Sequence, residues 1–177
     1  KAASILRNRK GVGEAELGLA NEMAINQFIA HHSVIFQPEK KRMWVSTAPW
    51  QCGKYVAYDL NRIFSDSIDF NHDIYTENLT VPADSFLQQQ EYQQLMTYKR
   101  LAPVLRKQIK KKERLDEQTL HAFQHANPHF FYVYELLGDY YHATGQQDKA
   151  LRNWKKALLL PIPKRSESER IEHKINN

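Results

Sequence analysis

The sequence holds a single cysteine, Cys52, so no internal disulfide can form. No stretch approaches the roughly 20 apolar residues that a membrane-spanning helix needs, and no membrane span is expected. The first ten residues, KAASILRNRK, lack the apolar core of a signal peptide. Residue 1 is Lys rather than Met, and the expectation is that a precursor portion precedes it. No Gly-flanked elbow surrounds Ser33, Ser46 or Cys52, so none of them carries a nucleophile motif. Charge of one sign is also scarce, with a formal net of +5 over 177 residues. Part of that excess is Lys107, Lys110, Lys111, Lys112 and Arg114, gathered where a helix should end and where cations suit its dipole. No aromatic residue interleaves with this cluster in sequence, so no nucleic-acid partner is expected.

Ile29 to Leu60 is the most informative stretch. Apolar runs Ser33–Phe36 and Met43–Val45 flank the polar, Pro-containing segment 37–42, a hairpin signal. Strands are predicted over 31–37, 42–48 and 54–59. Neither run alternates cleanly, so both faces of the sheet should want burial. Two or three strands need further sheet and covering helices to be stable, and the remaining sequence offers no more strands. His31-His32 precedes the first strand, which should send one imidazole to each face.

Beyond residue 65 the character is helical, and only Gly138 and Gly145 remain. The polar segment 65–83 reads as a connector. Its Asp66, Asp69, Asn71 and Asp73 lack the Gly and closing Glu of a calcium loop. A helix capped by Asp84 or Ser85 should kink or break at Pro103, with a second helix over about 104–112. Asp116 should cap the next, followed by helices near 129–143, 147–159 and 166–174. His121, His125 and His129 recur every four residues, but Pro128 should end the helix before the third, so no metal site is expected.

Residues 131–164 match a tetratricopeptide-like repeat in Tyr134, Leu137-Gly138, Tyr141, Ala150, Trp154, Ala157 and Pro161. Gly138 and Ala150 would let two helices approach, with Tyr141 and Trp154 filling the space between them. Tyr132, Glu135, Asp139 and His142 would then form an exposed face for a protein or peptide partner. The segment 166–174 would serve as a capping helix.

Asn21-Glu22-Met23-Ala24-Ile25-Asn26-Gln27, Ile29-Ala30-His31-His32-Ser33-Val34-Ile35-Phe36 and Met43-Trp44-Val45-Ser46-Thr47-Ala48-Pro49-Trp50 carry a resemblance. They resemble the C-terminal end of the acyl-coenzyme A:6-aminopenicillanic acid acyltransferase-like family. These are autoproteolytic N-terminal-nucleophile (Ntn) hydrolases related to choloylglycine hydrolases. The resemblance covers residues 1–64. It implies a four-layer αββα fold and attack by an N-terminal Cys on an amide or thioester carbonyl, with no cofactor. This chain departs from that pattern, since its only Cys is internal. The nucleophile would lie in an upstream segment, the remainder of the Ntn domain, and the chain alone would be inactive. Asn26, His31 and His32 are the polar residues in reach of that site. The fold expected is therefore α+β: Ntn-type sheet over 1–64, a connector at 65–83, and a helical array over 84–177.

Overall fold

The computed structural model describes residues 1–65 and 73–176. It is mixed α+β and divides into two compact units. One comprises Lys1–Arg9 and Ile25–Gln88, the other Lys10–Ala24 and Gln89–Asn177. The helical unit thus claims an N-terminal segment that the sequence reading gave to the sheet.

The first unit is built on a three-stranded antiparallel sheet of β1 (Val34–Gln37), β2 (Arg42–Ser46) and β3 (Tyr55–Asp59), in that order. A short helix, α1 (Ala2–Leu6), precedes it. The β1–β2 connection is a 3-10 turn, Pro38–Lys40, closed by Lys41 in the left-handed region at φ 48°. That turn pairs Val34 with Val45 and Phe36 with Met43. Across β2–β3, Val45 faces Val56 and Met43 faces Tyr58. Residues directly opposite share a face, so Val34, Phe36, Met43, Val45, Val56 and Tyr58 form one side that is apolar but for the Tyr58 hydroxyl. None of the six is buried, and Phe36 is 65 % exposed.

The other side holds Ser46, Tyr55 and Ala57, all buried. Here Trp44 donates its indole N–H to the Leu79 carbonyl at 2.8 Å. The described part of the connector belongs to the sheet, through bridges from Tyr75 to Tyr58 and from Val81 to Tyr55. β3 therefore has a partner on its outer side, whereas β1 pairs only with β2 among the described residues. Asp59 caps α2 (Leu60–Ile63) by accepting from the Asn61 N–H at 3.0 Å. The strand predicted from residue 31 starts only at Val34, which leaves His31 and His32 ahead of the sheet, both exposed. They do not divide between its faces.

The second unit contains α3 (Gln90–Lys111), α4 (Glu117–Ala126), α5 (Phe131–Ala143), α6 (Gln147–Leu158) and α7 (Arg165–Asn176). Asp84 caps only a 3-10 turn, Ser85–Gln88, by accepting from the Phe86 N–H, and α3 begins after it. Nor does α3 break at Pro103. The proline is exposed and withholds a single N–H, while Tyr98, Leu101, Ala102 and Leu105 are buried on the other side. Burial there outweighs one lost bond. Asp116 caps α4 as the sequence predicts, accepting from Thr119 N–H at 2.7 Å. The 10–24 segment is tied to this unit by two amides. Asn127 accepts from Leu19 N–H and donates to its carbonyl, and Asn21 donates to the Pro161 carbonyl at 3.1 Å.

α5 and α6 form the most closely packed helix pair. A Cβ on Gly138 would sit 2.3 Å from the Trp154 ring, and Ala150 and Ala157 are fully buried beside it. Gly145 turns the chain between the two helices at φ 77°. Only a residue without a side chain allows the Trp154 indole so near the α5 backbone. Gly138→Ala is expected to cost roughly 1–3 kcal/mol through overpacking, read as a lower urea midpoint of the helical circular dichroism signal. An unchanged midpoint would show that Trp154 moves aside at no cost.

Candidate functional site

Asn26, the first residue the resemblance singles out, lies at the centre of the sheet unit. It is fully buried. Its backbone N–H donates to Asn8 O at 2.8 Å, and its Oδ1 accepts from Phe28 N–H at 3.1 Å. Its Nδ2 donates to the Sγ of Cys52 at 3.3 Å. His31 and His32 have no such setting, since both are exposed on the loop before β1. The structure brings Asn26 to Cys52, a neighbour for which the sequence gives no sign.

Around this pair stand residues that sequence reasoning missed. Arg7 follows the end of α1 and donates to three carbonyls: Gln51 at 3.0 Å, Gly53 at 2.7 Å and Pro82 at 2.8 Å. Its guanidinium also lies over the Tyr55 ring, 5.3 Å from the centroid. Arg9 pairs with Asp84 at 2.7 Å and covers the Phe86 ring at 4.1 Å. Phe28 packs edge-on to Trp50 and tilted against Phe86. These contacts span up to 75 residues of chain, so no local pattern could announce them. The one hint was two arginines in a segment, Arg7-Asn8-Arg9, that a helix end alone did not need.

The chemistry of Cys52 follows from this enclosure. Burial pushes its thiol above the ordinary range. The Asn26 amide works the other way, Asp84 adds to the rise, and Arg9 and Arg7 lower it, with the rise prevailing. A buried neutral thiol is a poor nucleophile. Ser33 and Ser46 are likewise engaged. Ser46 Oγ accepts from Ser33 N–H at 2.7 Å, and Ser33 Oγ accepts from the Tyr55 hydroxyl at 3.1 Å. No cluster of three or more His, Cys, Asp or Glu side chains suited to a metal occurs among the described residues. The His121 and His125 rings stack on each other at 3.8 Å. Asp66, Asp69 and Asn71 lie outside the described residues.

What remains open is surface. Beside the half-covered apolar side of the sheet, Phe36, Pro38, Lys41, Arg42, Leu60 and Phe64 line a cleft of about 560 Å³. Along β1, a second cleft of about 550 Å³ runs between Ala3 and Arg7 on one side and Ile35, Trp44 and Val81 on the other. Both clefts touch the outer strand.

In the helical unit, the four residues expected to meet a partner do not form one open face. Glu135 is only 2 % exposed. α7 covers it, with Arg170 donating to both carboxylate oxygens at 2.8 Å and Lys174 donating to one at 2.8 Å. Asp139 accepts from Lys174 and from the Trp154 indole. Tyr132 is half-buried and lies under Arg106, while His142 is exposed against Trp154. The expected exposure of Glu135 fails because the basic side of α7 supplies the charges its carboxylate needs.

No family model matches the chain, and neither the curated proteins nor the solved structures contain a match to it.

Two measurements check this electrostatic account. Native Cys52 should resist a disulfide reagent at pH 8 and react at once when urea unfolds the chain, since the fold holds the thiol neutral and enclosed. Rapid labelling of the native protein would contradict that. For Glu135, burial opposes ionisation, but the hydrogen bonds and charges of Arg170 and Lys174 outweigh it and hold the carboxyl below its usual range. Its stabilisation is then present above the ordinary carboxylate pKa and lost as pH falls through the lowered value. Glu135→Gln should cost about 2 kcal/mol at pH 7, less than a wholly buried pair because Arg170 is half exposed. The gap to wild type should narrow as pH falls below the ordinary carboxylate range and through the lowered value, and a gap that ignores pH would rule out the ion pair as its source.

Proposed function

We propose that this chain supplies part of the scaffold of a larger amide hydrolase or acyltransferase of the N-terminal-nucleophile class, and that the attacking thiol comes from residues outside it. The observation that carries this reading is the apolar side of the sheet on which none of six residues is buried, with Val34 and Phe36 exposed and Met43, Val45, Val56 and Tyr58 half-buried. A sheet closed on one side and apolar on the other suits a place against a second sheet, as in an αββα sandwich. The state of Cys52 agrees with it, because the enclosed thiol is unsuited to attack and serves as a packing group held by Asn26. Linear amides or thioesters are the substrate class that the resemblance suggests, and no cofactor is called for.

A helical adaptor that grips a peptide with Tyr132, Glu135, Asp139 and His142 is less well supported. α7 already occupies Glu135 and Asp139. The α5–α6 pair keeps the close approach that a tetratricopeptide-like hairpin would have, and α7 would be its capping helix.

The test uses protein recovered from its natural source with an antibody to the helical unit. Intact mass should reveal a longer precursor or a co-purifying chain whose N-terminal Cys condenses with a cyanobenzothiazole probe. The assembly should hydrolyse linear amides, lose that activity on blocking the N-terminal thiol, and keep it in Cys52→Ser. Recovery of a lone 20.8 kDa species with no N-terminal Cys partner would overturn the proposal.

A further inference from the structure

Between Tyr92 and Lys112 the chain carries seven cations and no acidic residue. The helix dipole accounts for those in the last turn of α3, since its field fades within one turn. It does not account for Arg100 and Arg106, which stand more than a turn ahead of the end at Lys111. At 100° per residue, Arg100, Lys107 and Lys111 fall on one line, while Lys110 lies about 80° and Arg106 about 120° round the helix from Arg100, toward the side where α5 brings Tyr132. All five are exposed, and Arg100, Lys107 and Lys111 lie on the side away from buried Leu101 and Leu105. From Arg100 to Lys111 they extend over about 16 Å, near the length of five phosphates in a stacked strand.

Little within the unit neutralises them. Lys111 has a loose pair with Glu113 at 3.5 Å. Glu135 and Asp139 are taken by Arg170 and Lys174. Among the described residues no ion pair forms at Arg100, Arg106, Lys107 or Lys110. The aromatic residue nearest Arg100 in sequence, Tyr98, is buried, but the fold brings another from α5. Tyr132 is half-exposed, with its ring 5.9 Å from the Arg106 guanidinium.

We propose that the exposed basic side of α3, together with Tyr132, binds single-stranded nucleic acid without sequence preference. Phosphates would follow the cation row and a base would stack on the Tyr132 ring, the combination that single-strand binders use. An anionic membrane is the less favoured partner. In the same turns Leu101, Ala102 and Leu105 are buried, and Val104 is the one large apolar side chain left exposed, too little to insert as a hydrophobic wedge. This inference does not depend on the proposed hydrolase scaffold.

The test is fluorescence anisotropy of the full chain with a labelled 20-nucleotide poly-dT or poly-rU strand, between 50 and 300 mM salt. Affinity should fall with salt, with a log–log slope of about −0.7 per phosphate neutralised. The triple reversal Arg106→Glu, Lys107→Glu, Lys111→Glu should weaken binding at least tenfold. Tyr132→Leu should weaken it roughly tenfold and leave the salt slope unchanged. The exposed α6 pair Arg152→Glu, Lys155→Glu serves as a charge control and should have little effect, with circular dichroism confirming that each variant folds. The proposal is overturned by no binding at 50 mM salt, or by equal losses from the α3 and α6 reversals. Duplex binding that is indifferent to Tyr132, or preference for phosphatidylserine vesicles that the strand cannot compete away, would overturn it as well.

Discussion

The guanidinium of Arg7 fixes three strangers in sequence. Its bonds to Gln51, Gly53 and Pro82 join the end of α1, the β2–β3 connection and the strand-like segment alongside β3. Each accepting oxygen belongs to loop backbone with no ladder to satisfy it, so the planar, five-donor arginine head answers a need that lysine could not. Once that loop is held, Cys52 has no route to solvent. Asn26 can then link Cys52, Phe28 and Asn8 in one stroke. Arg9 and Asp84 repeat the device a short distance along the same segments. The sheet itself is small, and what makes its covered side orderly is this set of charged and amide donors.

The two sides of the sheet therefore differ in kind. One is finished by Arg7, Trp44 and the 79–81 segment with specific hydrogen bonds. The other has six side chains in register whose one polar group is the Tyr58 hydroxyl. Single exposed apolar residues are ordinary, but a contiguous set rimmed by Lys41 and Arg42 is the pattern of a surface meant to be covered. Among the described residues β1 adds an unpaired outer edge to that surface, and native sheets seldom leave such an edge long and apolar. Four residues is short, and Gln37 with Pro38 ends it at once. The edge is thus blunted while the face is not, which makes face-on packing the more natural way to complete this sheet.

What could be read from the sequence was what short-range physics controls. The strands, the Pro38 turn and the Asp116 cap each depend on a few adjacent residues. Gly138 and Trp154 were legible because a fixed spacing of small and large residues on neighbouring helices has few other uses. Pro103 misled because a local penalty was weighed without the buried Tyr98, Leu101 and Leu105 opposing it. His31 and His32 misled because strand pairing stops at Val34, and alternation means nothing beyond the last ladder bond. The Asn26–Cys52 contact and the Arg7 bonds were illegible for a plainer reason, since their partners are 26 and more residues away.

Glu135 shows how charge and packing decide a surface together. A carboxylate on the inner side of α5 is costly to bury unless cations come with it. α7 brings two of them one turn apart, Arg170 and Lys174, which match Glu135 and Asp139, also one turn apart. This pairing spends the acids of α5 on α7. Among the described residues the cations of α3 meet no comparable set: α4 begins with its own acids at Asp116 and Glu117, where they cap and complement the helix dipole. The same economy that closes the α5–α7 face therefore leaves the α3 face positive. A helix whose apolar side is fully used and whose polar side carries one sign of charge over three turns gains nothing for its own unit from that charge. Self-repulsion along Arg100, Arg106, Lys107, Lys110 and Lys111 is a standing cost that a polyanion would relieve.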